Sequence, residues 1–126
     1  MNNYLLVFVG GGIGSMLRLG TYRFARLWLS PEFPWGTFAV NVIGGLVAGL
    51  VTGWLMSRSA GGNDPAGLFL MTGVLGGFTT FSAFSVDAVL LFEKGQLGVA
   101  AAYVAASFVF AIVGVLIGLA AVRSFA

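Results

Sequence analysis

Four long apolar stretches constrain this chain more than any other feature of its sequence. A helix needs about 20 apolar residues to cross the hydrocarbon core of a bilayer. Residues 4–22, 35–56, 66–92 and 97–122 meet that requirement and are joined by short polar connections. We therefore expect an all-α membrane protein with four transmembrane helices, folded as a single domain over residues 1–126.

The composition excludes several classes of function. Hydrophobic residues make up 59% of the chain and charged residues only 8%, whereas soluble domains carry about 25% charged residues. Cysteine and histidine are absent, which excludes disulfides, zinc sites and imidazole catalysis. With those catalytic groups missing we expect no enzyme, and because the charges are scattered singly we expect no nucleic-acid partner. The first apolar stretch lacks a basic leader, so we interpret it as a retained span and expect a multi-pass protein of a prokaryotic plasma membrane.

The third stretch contains a run that disfavours a continuous helix. Glycines at 76 and 77 weaken a helix through conformational entropy, and the β-branched pair Thr79 and Thr80 crowds the preceding turn. We therefore expect a helix broken near the middle of the membrane. Non-helical backbone at that depth is tolerated only inside protein or beside a water-filled cavity, and it often forms an ion or substrate site.

Small residues recur at helical spacing, for example Gly45, Gly49 and Gly53 in the second stretch. Such faces let helix backbones approach closely where no hydrophobic force drives association. Packing alone explains them, and we assign them no chemistry. They predict a compact bundle that also associates with itself.

Positive charge is almost balanced between the two sides of the predicted bundle. An even number of spans places both termini and the middle connection on one side, with two basic residues there and three opposite. Orientation follows the excess of lysine and arginine, so either Arg18 or insertion factors decide it, or the chain inserts both ways. In the second case two copies can pair as an antiparallel, dual-topology homodimer. The residues counted are Arg58 and Arg123 on the first side, and Arg23, Arg26 and Lys94 on the second.

The spans offer neutral polar side chains as candidates for function. Asn41 lies inside the second span with Thr37 one turn before it, and Tyr103 and Ser107 share a face of the fourth. An amide buried in lipid is costly without a partner, so we expect Asn41 to face the protein interior. Interhelical hydrogen bonding remains an alternative role for Asn41, and packing remains one for Tyr103 and Ser107.

Phe81 and Phe84 are three residues apart and interleaved with hydroxyl side chains. This spacing is usual for core packing, but the edges of aromatic rings carry partial positive charge and can receive an anion. Donors from Asn41, Thr80 and Ser82, together with ring edges, could replace water around a small anion.

Three stretches taken together resemble the small fluoride channels of microbes, the Fluc or CrcB family. They are residues 11–18 (GGIGSMLR), 36–44 (GTFAVNVIG) and 76–85 (GGFTTFSAFS). Length and the four-span plan agree as well. The resemblance implies an antiparallel homodimer with two passive fluoride pathways, which let cytoplasmic fluoride leave the cell.

The resemblance also implies roles for individual residues. A structural sodium ion would be held on the two-fold axis by the main-chain carbonyls of Gly76 and Thr79. Phe81 and Phe84 correspond to the pore-facing phenylalanines, and Asn41 to the pore asparagine. By the same resemblance Thr80 and Ser82 would line the path, and Tyr103 and Ser107 map onto a polar track. To these pore or anion-path candidates we add Thr37 and, as our own hypothesis, Arg18, which at an aqueous vestibule would raise the local anion concentration.

This chain departs from the family pattern at three positions. Ala83 stands where threonine is common, Ala111 where the polar track often continues with a hydroxyl, and Asp87 where glutamate is common. These departures concern the detailed ion route.

Two other functions remain as alternatives. A dual-topology multidrug exporter of organic cations has the same size, but it would need a carboxylate in the first span, where this sequence has none. A structural subunit of a membrane assembly would use the glycine faces for docking, but it would leave the unusual run at residues 73–85 unexplained.

Overall fold

The computed structural model describes residues 2–59, 61 and 63–125. Within those ranges, four helical passes are long and apolar enough to cross a membrane, which confirms the predicted all-α architecture with four spans. The third pass consists of two helices, here named α3 and α4. The helices are α1 (Asn3–Trp28), α2 (Trp35–Ser57), α3 (residues 65–78), α4 (Ser82–Glu93) and α5 (Leu97–Phe125).

Two helices extend further than the apolar stretches that predicted them. α1 continues past residue 22 to Trp28, where the N–H of Leu29 donates to the Ala25 carbonyl at 2.8 Å. α5 likewise continues to Phe125. Hydropathy locates the part of a helix that suits lipid, whereas helical hydrogen bonding continues through polar residues until the chain turns.

Local side chains and backbone geometry fix the helix ends. The Asn2 side chain accepts the Tyr4 N–H at 2.7 Å and caps α1. Asp64 accepts the Gly67 N–H at 3.2 Å and caps α3. Gly95, with φ of +78°, makes the turn between α4 and α5, a conformation that glycine adopts without steric cost. These caps and turns keep the connections between passes short.

The central part of α3, Leu68–Leu75, is a π-helix rather than an α-helix. The segment packs against α1 through glycine on both sides. A Cβ added at Gly10 would lie 2.6 Å from the Phe69 carbonyl oxygen and 3.0 Å from the Gly73 Cα. The two backbones are therefore in direct contact, and a side chain larger than hydrogen at Gly10 would separate them.

α2 and α5 form a second close pair through glycines on both helices, among them Gly45 of the face predicted to pack. A Cβ added at Gly45 would lie 2.5 Å from the Ala111 carbonyl oxygen, and one at Gly118 would lie 2.5 Å from that of Leu46. An aromatic core between α4 and α5 completes the bundle. Its buried members are Phe84, Leu91, Ala100 and Tyr103, with Phe33 and Phe38 packed against them.

Candidate functional site

Helical structure is interrupted between α3 and α4. α3 ends at Phe78, Thr79 is extended with φ of −80° and ψ of 160°, and α4 begins at Ser82. The Thr79 hydroxyl donates to the Leu75 carbonyl at 2.9 Å, which holds the side chain back on the last turn of α3. Three residues, 79–81, therefore connect two helices of one pass.

Asn41 on α2 pairs with the backbone of this connection. Its Nδ2 donates to the Thr80 carbonyl at 2.9 Å, and its Oδ1 accepts the Thr80 N–H at 2.9 Å. The amide thus replaces the backbone partners that Thr80 would have in a continuous helix. Asn41 faces the protein, as expected, and its first structural role is to support the interruption.

Two carbonyls lose their usual helical donors as a result. In a continuous helix the Thr80 N–H would bond to Gly76, but here it donates to Asn41. The Ala83 N–H would bond to Thr79, but it donates to the Thr80 hydroxyl at 3.1 Å. The carbonyls released in this way belong to Gly76 and Thr79, the two residues predicted to hold a cation, and Gly76 is exposed on the surface of the single chain.

A groove of about 310 Å³ lies beside the interruption, between α2 and α5. All of the residues that line it are uncharged, and most are apolar. It brings together six of the candidate residues named from the sequence. The lining consists of Asn41, Gly44, Gly45, Ala48, Thr79, Thr80, Phe81, Phe84, Ser107, Phe108, Ala111 and Ile112.

Aromatic rings lie along one side of this groove. Phe81 is 71% exposed and Phe84 only 7% exposed, and their ring centroids are 5.6 Å apart. Phe84 also meets Phe108 nearly perpendicularly, with centroids 5.9 Å apart. Phe81 and Phe84 are tilted by 46° to each other, and the edges of aromatic rings carry partial positive charge.

Ser107 is the most unusual polar group in the groove. The residue is buried, with 6% exposure, and its hydroxyl oxygen has no hydrogen-bond partner within the described part of the chain. Leaving a buried hydroxyl unpaired costs about 1–3 kcal/mol. Ser107 therefore brings to the lining of the groove a hydroxyl that pairs with no described protein group.

Other predicted residues lie outside the groove. Tyr103 is fully buried, and its hydroxyl donates to Asp87 Oδ2 at 3.1 Å. Thr37 lines a second cavity at the end of the bundle. Ser82 is exposed, with its hydroxyl 3.3 Å from that of Thr80. Arg18 is half-buried on α1, away from the residues that line the groove.

The sequence reasoning did not identify several groove residues. Phe108 and Ile112 flank Ser107 and Ala111 along α5 and line the groove with them. No local signal separates them from the lipid-facing residues of that helix, because nearly every position in α5 is apolar. Gly44 could have been identified, because it ends the motif at residues 36–44. A Cβ at Gly44 would overlap the Thr79 Cγ2.

Comparison with known proteins assigns the chain to a family. Residues 5–119 match the family described as CrcB-like protein, Camphor Resistance (CrcB). A protein of Nitrobacter hamburgensis named fluoride-specific ion channel FluC 2 is 51% identical over 121 residues, covering 96% of this chain and 97% of the relative. Relatives named fluoride-specific ion channel FluC are 49% identical over 122 residues in Novosphingobium aromaticivorans, covering 95% of each chain, and 48% identical over 124 residues in Agrobacterium fabrum, covering 98% of each.

These matches span nearly the whole chain and agree with its four apolar passes. They show a multi-pass membrane protein. The chain belongs to the CrcB family.

Proposed function

We propose that this chain is a passive, fluoride-selective ion channel rather than an enzyme. The observation that carries the proposal is the uncharged groove at the helix interruption, with an unpaired buried hydroxyl at Ser107 and phenylalanine rings along its wall. The names of the relatives, all fluoride-specific ion channels, point to the same ion.

The groove suits a small anion that must exchange its water for protein groups. The Ser107 hydroxyl supplies a donor, and the edges of Phe81 and Phe84 supply partial positive charge without forming a covalent or protonic bond. Conduction requires binding strong enough for entry and weak enough for exit. A fixed positive charge in the groove would hold the anion too tightly, and the uncharged lining avoids this. Arg18, on α1, would instead raise the anion concentration near the entrance.

Passive conduction is sufficient for export. Fluoride enters cells as neutral HF and dissociates inside. A membrane potential that is negative inside contributes about 2.3 kcal/mol per elementary charge for each 100 mV. In a plasma membrane this field moves an anion outward, so the channel needs no energy-coupling site.

We further propose that two antiparallel copies form the channel, with two anion paths. Gly76 is exposed, and its carbonyl has lost the Thr80 N–H to Asn41. An unpaired backbone carbonyl facing hydrocarbon costs several kcal/mol, so a second copy over this surface would stabilise the span. The nearly equal positive charge on the two sides favours insertion in both orientations.

The released carbonyls also fit a structural sodium ion. Gly76 and Thr79 from two copies would supply four neutral oxygens. Neutral oxygen ligands suit a hard monovalent cation, whereas divalent cations prefer sites that include carboxylates. Bound there, sodium would neutralise the partial negative charge of the carbonyls at the centre of the dimer.

The proposed conduction is tested by ion efflux from liposomes that contain only the purified chain. With a potassium gradient and valinomycin, we expect fast release of fluoride, measured with a fluoride electrode, and no release of chloride in parallel. Empty liposomes are the control. A folded chain that releases no fluoride would refute the channel proposal, and exchange of organic cations would then support the exporter alternative.

The antiparallel arrangement is tested separately by labelling. The chain contains no cysteine, so Asn2→Cys introduces a unique thiol next to the start of α1. A membrane-impermeant maleimide should label about half of the molecules from outside sealed vesicles, and the rest only after permeabilisation. Labelling of nearly all or nearly none from one side would mean a single orientation.

A further inference from the structure

A second cavity, of about 360 Å³, lies where α1 ends and α2 begins, beside α4. It shares no lining residue with the groove at the helix interruption. Its wall includes Tyr22 and Arg26 from α1, Gly36 and Thr37 from α2, and Asp87 from α4. Sequence reasoning assigned no role to Tyr22 and considered Arg26 only for membrane orientation.

The first turn of α2 brings hydrogen-bond donors to this cavity. Pro34 is the capping residue, and a proline side chain has no oxygen that could accept a helix N–H. The Trp35 N–H donates to the Phe33 carbonyl at 2.8 Å, and regular pairing starts with the Phe38 N–H on Pro34 at 3.1 Å. The N–H groups of Gly36 and Thr37 lie between these and have no helical acceptor. They form the positive end of the dipole of a 23-residue helix.

Tyr22 adds an independent sign of a ligand. Its hydroxyl oxygen is buried and has no hydrogen-bond partner among the described residues. The ring is seated on Gly36, where an added Cβ would lie 2.7 Å from the Tyr22 Cδ1. Glycine at this position therefore lets the ring lie across the first turn of α2. Buried hydroxyls are normally paired, so an orphan hydroxyl indicates a missing partner.

The charges around the cavity favour an anion on the α1 and α2 side. Arg26 brings a guanidinium to the same cavity that Tyr22 and the first turn of α2 line. Asp87 contributes the opposing carboxylate, and it already accepts the Tyr103 hydroxyl at 3.1 Å. Donors and positive charge thus come from two helices, while the negative group lies on α4.

We propose that the second cavity is a binding site for a small hydrated anion, held by the Tyr22 hydroxyl, the first turn of α2 and Arg26. A water molecule occupies about 30 Å³ of liquid, so the cavity holds an anion with part of its water shell. The site therefore binds halides with little selectivity, unlike the groove. Thr37 precedes Asn41 by one turn, and Ala83 precedes Phe84, so the cavity lies next to the groove along both α2 and α4. The cavity then supplies the groove with fluoride, a step that rests on the proposed function.

Trp35 lines the cavity and can report on its occupancy. The full chain has three tryptophans, and the substitutions Trp28→Phe and Trp54→Phe leave Trp35 as the single fluorophore. Iodide quenches tryptophan fluorescence. If it binds in the cavity, quenching of Trp35 should show a saturable component in addition to the linear collisional component. Fluoride does not quench and should displace iodide from that component.

Tyr22→Phe keeps the ring on Gly36 and removes only the hydroxyl. Loss of a hydrogen bond to a charged ligand should weaken the saturable iodide component by about tenfold or more. Arg26→Gln should weaken it as well. Tyr4→Phe, at the exposed start of α1, is the matched control and should leave it unchanged. Strictly linear quenching in the starting chain, or equal quenching in Tyr22→Phe and Tyr4→Phe, would overturn the proposal.

Fluoride efflux in the same variants separates the two proposals. If the starting chain shows saturable quenching but releases no fluoride, the anion site stands and the channel proposal fails. If it releases fluoride but quenching is linear, the channel stands and the second site is refuted. If both hold, Tyr22→Phe should raise the fluoride concentration that gives half-maximal flux.

Discussion

Asn41→Leu is the substitution that tests the architecture of the site most specifically. Leucine branches at Cγ as asparagine does and is the larger side chain, so the change removes hydrogen bonds without opening a cavity. Two bonds of 2.9 Å disappear, which leaves both the N–H and the carbonyl of Thr80 without their partner. Thr80 is 7% exposed, and each unpaired buried group costs about 1–3 kcal/mol. We therefore expect the free energy of unfolding to fall by about 2–6 kcal/mol.

Two measurements in detergent micelles check this expectation. Equilibrium unfolding gives the loss of stability, and hydrogen exchange followed by NMR reports on the Thr80 amide itself. Because about 1.4 kcal/mol corresponds to a factor of ten, exchange at Thr80 should accelerate at least about tenfold.

Thr52→Val, on the same helix, is the matched control for Asn41→Leu. The Thr52 hydroxyl only approaches the Met71 sulfur at 3.9 Å, so its loss should cost under about 0.5 kcal/mol. If Asn41→Leu behaves like this control, with unchanged exchange at Thr80, the reasoning about the interruption is wrong.

Three further predictions follow from individual contacts. Gly45→Ala should lower the free energy of unfolding by about 1–3 kcal/mol, because the added Cβ would meet the α5 backbone. Gly12→Ala, which has open space around it, is the control and should be tolerated. Equal unfolding curves for the two variants would contradict this packing. Ser107→Ala removes an unpaired buried hydroxyl, so the free energy of unfolding should stay unchanged or rise by about 1–3 kcal/mol. Fluoride efflux should fall in the same variant. A large loss of stability would mean that the hydroxyl has a structural partner. Tyr103→Phe leaves Asp87 without its donor and should cost about 1–3 kcal/mol in unfolding, and no change would show that the bond contributes nothing.

The sequence predicted the number of spans and their class because twenty-residue apolar runs have few structural solutions. It did not predict the π-helix at Leu68–Leu75. Apart from Thr72 that segment consists of apolar residues and glycine, so its periodicity cannot distinguish one helical pitch from another. Its geometry depends on contact with the glycines of α1, which only the folded chain brings together.

The sequence likewise predicted only part of the candidate site. Spacing placed Tyr103 and Ser107 on one face of α5, but it could not show that Tyr103 reaches Asp87 while Ser107 lines the groove. Composition showed that Asn41 needs a partner, but not that the partner is the backbone of Thr80. Tyr22 went unnoticed because its importance depends on Gly36, a contact between helices.

The most direct test of the central claim is the reversal potential of the purified chain in a planar lipid bilayer, with fluoride on one side and chloride on the other. For a fluoride-selective channel we expect a reversal potential far from zero, with the sign set by the fluoride gradient. The current should persist when sodium is the only cation added. Reversal near zero would show an anion path without fluoride selectivity, and absence of current from folded protein would contradict conduction altogether.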